Sequence, residues 1–402
     1  MNVTISPGIA RGRISAPPSK SYAHRLILGA ALSEDESVLR GIGDSQDILA
    51  TLDCAAALGA RFTRQGDTLR IRGSLQCFPD GTGFPCRESG STLRFFLPSA
   101  MALGSAAVFT GSERLFQRGI GLYQEILPSK GVVLNVSASS VAASGRLQPG
   151  EFVLPGNVSS QYITGLLFAL PLLKGDSVVR VLPPVESRPY LDVTLAVLRQ
   201  FGVRVREIEP NAFTVPGGQR YCGVNTTVEG DWSNSAALLA FNSCGGSVSV
   251  DGLNDASLQG DRVCLGMFAA LEEGRARLDI SDCPDLGPVL FAAAALHSGA
   301  EFIGTRRLRI KESDRAQAMA EELAKCGVRV RVEENAVHVY GGTFQRPQQP
   351  LSGHNDHRVV MALALLCSVY GGIVEGAEAV GKSYPDFFDT LSRLGIDLAY
   401  DK

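Results

Sequence analysis

Positively charged side chains occur in this sequence inside runs that are otherwise apolar. Arg25 lies in the run opened by Lys20 and Ser21 and continued by Leu26, Ile27 and Leu28; Arg94 follows Gly90 and Ser91 and is followed by Phe95, Phe96 and Leu97. A buried charge without a partner costs on the order of several kcal/mol, so each arginine requires an internal ion pair or a bound anion. For one arginine alone the two accounts stand level, but cations at similar places in several runs favour the anion. Ser159-Ser160-Gln161 and Asn355-Asp356-His357-Arg358 open two further such runs. Helix N-termini carry free N–H groups and roughly half a positive charge, so these starts suit phosphate or carboxylate. The chemistry indicated is the capture of small polyanions.

A second set mixes both signs. In Lys311-Glu312-Ser313-Asp314-Arg315 the two cations are spaced i and i+4, which puts them on one face toward one ligand if a helix includes both, with Glu312 about 100° away. Taken alone, the segment also reads as an exposed charged turn. His354 and His357 have the spacing of a metal pair, but no hard third ligand is near in sequence, so no metal is expected and His357 is read as a donor of a hydrogen bond or a proton. Cys77 and Cys86 are expected to be plain thiols and Trp232 a core residue.

The elements that must position these residues repeat. Six almost wholly apolar helices are predicted to start at Ser21, Ser91, Ser160, Ser233, Asp285 and Asp356, whose oxygens would serve as N-caps. An amphipathic helix follows each, ending at a glycine such as Gly59, Gly202, Gly327 or Gly395; the stretches from Arg118 to Gly131 and from Arg262 to Arg277 are looser versions. Strands are predicted between them at 68–72, 150–154, 177–181, 212–215, 247–250, 275–280 and 336–340. Units of about 65–70 residues result, each mixed α/β with one buried and one outer helix. Three per domain let the buried helices pack inside a prism of sheets. The breaks are placed near 18 and 229, giving a discontinuous lobe of 1–18 with 229–402 and a second lobe of 19–228, with the site in a cleft between them.

Composition limits the partners. The 402 residues carry 38 Lys+Arg against 41 Asp+Glu, a net charge of −3, so no general positive field favours nucleic acid or an anionic membrane. Nine cysteines without a C-x-x-C pair argue against a disulfide framework or zinc and for a reducing cytosol. No uninterrupted apolar stretch is long enough to span a bilayer, and nothing reads as a targeting segment.

Lys20-Ser21 with Arg25, Gly90-Ser91 with Arg94, Ser159-Ser160-Gln161, Ser187-Arg188-Pro189-Tyr190, Asp285, Lys311-Glu312 with Asp314-Arg315, Asn355-Asp356-His357-Arg358, and Gly381-Lys382 before Pro385-Asp386 together resemble the 5-enolpyruvylshikimate-3-phosphate (EPSP) synthase family from end to end. The resemblance implies an α/β (mixed α+β) fold, a two-domain inside-out α/β prism of six βαβαββ repeats, three per domain. It implies transfer of the enolpyruvyl group of phosphoenolpyruvate to the 5-hydroxyl of shikimate 3-phosphate, with release of phosphate, by a cytoplasmic monomer without metal or organic cofactor. Shikimate 3-phosphate would be held by Ser21, Arg25, Ser159, Ser160, Gln161, Ser187 and Tyr190, with Asp285 and Lys311 beside it. Phosphoenolpyruvate would be held by Lys20, Gly90, Arg94, Arg118, Gln161, Arg315, His357, Arg358 and Lys382. Asp285 would be the base at the hydroxyl and Glu312 the acid at the methylene carbon, with Lys20 shared between steps and Lys311 beside the departing phosphate. Glu88, Ser91, Phe95, Gly119 and Arg307 depart from the family's usual pattern. Two alternatives stay open: transfer to UDP-N-acetylglucosamine, against which the lack of a cysteine in Gly111–Arg118 counts, and a silent anion-binding scaffold, against which Asp285 and Glu312 count.

Overall fold

The computed structural model describes residues 1–342 and 344–401. The chain forms two compact units, one of Pro18–Glu229 and one of Met1–Pro17 with the chain from Gly230 onward. Each has its own apolar core.

Pro18–Glu229 contains three four-stranded sheets of one pattern. Ser37–Arg40 lies between Asn225–Thr227, which runs parallel to it, and Thr68–Arg72, which runs antiparallel, with Arg61–Gln65 antiparallel beyond. Ala106–Gly111 and Ser177–Leu182 are flanked in the same way. Period-two alternation sets the faces: Leu69 and Ile71 turn inward while Arg70 and Arg72 face solvent. The helices here are α1 (Lys20–Ala31), α2 (Gln46–Ala57), α3 (Gly90–Leu103), α4 (Glu113–Gln117), α5 (Gly121–Ile126), α6 (Ser160–Ala169) and α7 (Arg188–Gln200). Helices α1, α3 and α6 are buried along almost their whole length, as their lack of a polar stripe requires. Their close approach depends on Gly165, where a Cβ would stand 2.1 Å from the Arg94 carbonyl oxygen and 2.4 Å from the Tyr123 hydroxyl. The outer helices α2 and α7 end at Gly59 and Gly202, whose φ values of 103° and 78° favour glycine.

The other unit holds α8 (Trp232–Leu239), α9 (Cys264–Glu273), α10 (Gly287–Leu296), α11 (Arg315–Lys325), α12 (His357–Tyr370) and α13 (Phe387–Arg393), of which α8, α10 and α12 are the buried set. Two of its sheets repeat the four-stranded pattern. Among the described residues the third consists of Ser247–Asp251 and Arg11–Ser15 alone, paired in parallel. The module expected to match the other five is thus shortened, because the chain leaving α9 enters Ala276–Asp279 of the next sheet without first forming a hairpin.

The caps differ from expectation. The N-cap oxygens of α1, α3 and α8 come from Ser19, Ser89 and Asp231, two residues before the predicted Ser21, Ser91 and Ser233, and that of α6 comes from Ser159, not Ser160. Asp356 caps α12 as predicted. Asp285 is not the N-cap residue of α10: it lies in the 3₁₀ turn Pro284–Leu286 that leads into that helix, and its carboxylate pairs with Lys311 and Arg315.

Candidate active site

In Pro18–Glu229 side chains link the N-terminal halves of the three buried helices: Gln161 of α6 reaches Ser91 and Arg94 of α3, and Arg25 of α1 reaches Thr164 of α6. Arg25 of α1, 3% exposed, donates from Nε to Thr194 Oγ1 (2.8 Å), from Nη1 to the Ser21 carbonyl (2.7 Å), and from Nη2 to the Tyr190 carbonyl (3.1 Å) and Thr164 Oγ1 (3.5 Å). Every acceptor is neutral. Burial lowers the Arg25 pKa to about 10, the direction expected of a cation without a buried counter-ion. Ser21, Arg25 and Tyr190 are therefore brought together, with Ser187 capping α7 in a left-handed conformation (φ 58°).

Arg94 of α3 donates from Nη1 to Gln161 Oε1 (2.6 Å) and from Nη2 to the Gly119 carbonyl (2.9 Å). Gln161 Nε2 in turn donates to Ser91 Oγ (3.0 Å). A Cβ on Gly90 would lie 2.7 Å from Arg94 Nη1 and 3.1 Å from Arg118 Nη2, so two guanidinium groups crowd the start of α3. Gly90, Arg94, Arg118 and Gln161 form one cluster, which Ser91 joins through its hydroxyl oxygen. Gly119 stands where the family usually has proline after the matching arginine, and φ is 77° there, which proline cannot adopt. Lys20 Nζ pairs with Asp47 Oδ2 at 2.7 Å, both side chains being less than one-fifth exposed.

The cluster in the other unit is built on carboxylates. Arg315, 1% exposed, donates from Nε to Asp356 Oδ2 (2.9 Å), from Nη1 to Asp285 Oδ1 (2.7 Å) and from Nη2 to Glu312 Oε2 (2.8 Å). Lys311 Nζ also reaches Asp285 Oδ1, at 3.0 Å. Here the helical premise fails. Lys311 is an extended residue after the 3₁₀ turn Arg306–Ile310, and α11 begins only at Arg315. The two cations meet on Asp285 because of that turn. Glu312 does not stand apart from Arg315 but pairs with it.

Arg358 Nη1 donates to Asn234 Oδ1 at 2.9 Å, and its Nη2 stands 4.0 Å from Asp285 Oδ2. His357 is 2% exposed, with Nδ1 3.9 Å from Asp356 Oδ1, and Lys382 Nζ donates to the Asn355 carbonyl at 2.6 Å. Burial works to raise the Asp285 pKa, but Lys311, Arg315 and Arg358 outweigh it and hold the carboxyl well below the usual carboxylate range. Burial lowers the Lys311 pKa, Asp285 only partly compensating. Among the described residues, four of the five non-glycine residues with positive φ, namely Arg87, Ser187, His354 and Asn355, lie just before helix starts. Such conformations persist where the surrounding structure holds them.

The sequence reading missed Asp47, Thr164, Thr194, Asn234 and Asp261. Asp47 had a signal, an acid in the first turn of a helix opened by Ser45. The others are polar residues within apolar runs or turns, and only their partners mark them. Glu321, Glu322 and His354 have oxygen and nitrogen atoms within 4.8 Å of one another. Glu322, however, already accepts from Lys325 Nζ (2.8 Å), the Ser352 N–H (2.8 Å) and His354 (2.8 Å). Among the described residues no helix is long and apolar enough to cross a membrane.

Repeated sheet and helix modules around buried helices, with cations near the starts of α1, α3 and α12, place the chain in the enolpyruvyl transferase fold. Solved structures with this fold include an EPSP synthase from Acinetobacter baumannii (TM-score 0.78, 22% identity, 99% of this chain and 100% of that one). The enolpyruvyl transferase NikO from Streptomyces tendae also aligns (TM-score 0.78, 16% identity, 100% of this chain and 98% of that one). The 3-phosphoshikimate 1-carboxyvinyltransferases of Clostridium kluyveri and Clostridium acetobutylicum are 36% and 37% identical, each alignment covering 98% of both chains. The profile of the EPSP synthase (3-phosphoshikimate 1-carboxyvinyltransferase) family matches residues 6–391. The chain belongs to that family: it is an enzyme, and the family's reaction, carboxyvinyl transfer to 3-phosphoshikimate, is its reaction.

Proposed function

We propose that both clusters act on one pair of substrates, phosphoenolpyruvate and shikimate 3-phosphate, in an addition and elimination at the 5-hydroxyl. Near neutral pH each substrate brings a phosphate and a carboxylate, which calls for several fixed cations. Arg25, Ser21, Ser159, Ser160, Gln161, Ser187 and Tyr190 take shikimate 3-phosphate. Gly90, Arg94, Arg118 and Lys20 take phosphoenolpyruvate together with His357, Arg358, Lys382 and Gln161. Arg315 adds its charge to the donor site while its hydrogen bonds hold Asp285, Glu312 and Asp356.

The observation that carries the reading is the convergence of Asp285 and Glu312 on Arg315, which holds an ionised base and a second carboxyl group side by side. Asp285 takes the proton of the 5-hydroxyl as its oxygen bonds to C2 of phosphoenolpyruvate, and Glu312, entering this step protonated, delivers a proton to the methylene carbon; in the elimination the Glu312 carboxylate takes a proton back from the new methyl group as the C2–O bond to phosphate breaks, and the proton held by Asp285 leaves with the phosphate. In the substrate-free arrangement Asp285 is a weak base. Substrate anions that engage Lys311 and Arg358 draw those cations away, so its basicity rises as the hydroxyl arrives. Lys311 then stabilises the departing phosphate. We place this cofactor-independent enzyme as a monomer in the cytoplasm, in keeping with nine cysteines that are all thiols.

Phosphate release tests the scheme. Release with both substrates together and with neither alone is the expected result. Release with UDP-N-acetylglucosamine in place of shikimate 3-phosphate, or no release at all, would overturn it.

A further inference from the structure

Asp261 has no role in the scheme above, yet it lies beside the residues that do. It stands in the 3₁₀ turn Gly260–Val263 ahead of α9, is 2% exposed, and hydrogen-bonds through Oδ2 with the Ser233 hydroxyl of α8. Its Oδ1 is buried, and among the described residues that atom has no hydrogen-bond partner and neither carboxylate oxygen has an ion pair. The ionisable groups facing it are Asp231 at the start of α8, Cys264 of α9, Cys283 and Asp285 from the turn before α10, and Arg358 of α12. Arg358 is already drawn toward Asp285, and its own Nε is buried without a partner among the described residues.

A carboxylate in this place would be a buried anion with one hydroxyl donor and no counter-ion, next to a second carboxylate that is ionised. Two such groups do not both ionise cheaply. An ionised Asp261 would also compete with Asp285 for Arg358, the group assigned to the donor's anion. We propose that Asp261 is a positioning residue of the site, carried as the neutral acid so that Arg358 is left to Asp285 and to phosphoenolpyruvate. Burial first, and then the charge of Asp285, pushes its pKa up to about 7, so it ionises as the pH rises through neutrality and opposes anion binding above that range. The inference rests on the assignment of Arg358 to phosphoenolpyruvate.

The test is Asp261→Asn, which keeps the shape and removes the titration. Near pH 8.5 this variant is expected to lower the KM for phosphoenolpyruvate by about three- to tenfold relative to wild type, the effect of removing one nearby like charge. The wild-type rise in KM between about pH 6 and that value should be correspondingly reduced in the variant. A KM near pH 8.5 equal to or above that of wild type would overturn the proposal. The second readout does not depend on activity: the infrared difference between wild type and Asp261→Asn near pH 6 should contain the C=O stretch of a protonated carboxylic acid, and its absence would also overturn the proposal. Failure of the underlying reading shows separately, as an unchanged KM for phosphoenolpyruvate in Arg358→Gln.

Discussion

Arg94 and Arg315 are both buried arginines near the start of a helix, one in each unit, and their surroundings are opposite in kind. Arg94, like Arg25 beside it, hydrogen-bonds only to neutral oxygens among the described residues. Arg315 is surrounded by Asp285, Glu312 and Asp356. The contrast separates two uses of buried charge. A guanidinium that meets only amide and hydroxyl oxygens keeps its charge for a ligand. A guanidinium that meets three carboxylates has spent its charge on fixing them, and the carboxylates are what that cluster contributes to chemistry. Anion capture and proton handling thus have their clearest representatives in different units.

The largest effect should come from the proton-handling cluster. Asp285→Asn is expected to lower kcat by about 10²–10⁴-fold, the usual contribution of a positioned base, with a much smaller change in KM for either substrate. A change confined to KM would assign Asp285 to binding and remove the contrast. Next in size is the stability of Arg315→Gln, which leaves the buried Asp356 and the half-buried Asp285 and Glu312 short of a partner. Unfolding in denaturant should show a loss of about 3–5 kcal/mol, the range for a broken buried ion pair. Arg94→Gln strands no carboxylate, so its loss of stability should be clearly smaller, and its main effect should be a KM for phosphoenolpyruvate raised by about 10–100-fold, the worth of a charge-assisted hydrogen bond. Equal losses of stability in the two variants would break the comparison.

Gly90→Ala is a finer probe of the anion-capturing side. Its methyl group must displace the Arg94 and Arg118 guanidinium groups, and steady-state kinetics should show the KM for phosphoenolpyruvate raised by about tenfold with kcat less affected. An unchanged KM would mean that those groups do not bind the donor in the arrangement seen here.

The smallest effect concerns the neutral network behind Arg94. His24 Nδ1 meets Thr51 Oγ1 at 2.6 Å, Thr51 meets Thr92 at 2.7 Å, and Thr92 donates to Ser89 Oγ at 2.7 Å. Burial, then Lys20 and Arg25, holds the His24 pKa well below its ordinary value. The unfolded chain therefore binds a proton that the folded chain refuses. Stability is full above about pH 6.5 and falls as the pH drops from there toward the folded value, by about 1.4 kcal/mol per pH unit at most for one proton. Denaturant unfolding at several pH values should show a shallower acid slope in His24→Gln, and equal slopes would place the proton elsewhere.

Much of the fold was legible because its signals are local. Glycines at the ends of outer helices announce left-handed turns, and Gly59, Gly202, Gly327 and Gly395 all have positive φ. Apolar runs without a polar stripe announce buried helices, and α1, α3, α6, α8, α10 and α12 lie inside. The shortened sheet of Ser247–Asp251 and Arg11–Ser15 was not legible, since a missing hairpin leaves no residue to notice. The caps were misplaced because several small polar residues precede each run, and which oxygen reaches the free N–H groups depends on how the preceding strand delivers the chain. Lys311 and Arg315 were expected to converge through helical spacing. They converge through a turn, which spacing alone could not distinguish.

The order of residues by itself determined the repeating modules, the buried and outer helices, and the presence of cations at helix starts, because each follows from periodicity and side-chain chemistry within a dozen or so neighbours. Only the tertiary structure decided which charges meet. Arg315 finds Asp285 from 30 positions away and Asp356 from 41, while Arg94 reaches Gln161 across 67 and Arg25 reaches Thr194 across 169. Whether a buried cation is balanced by carboxylates or left for a ligand depends on which distant segments the packing brings against it, and the charge itself does not specify them.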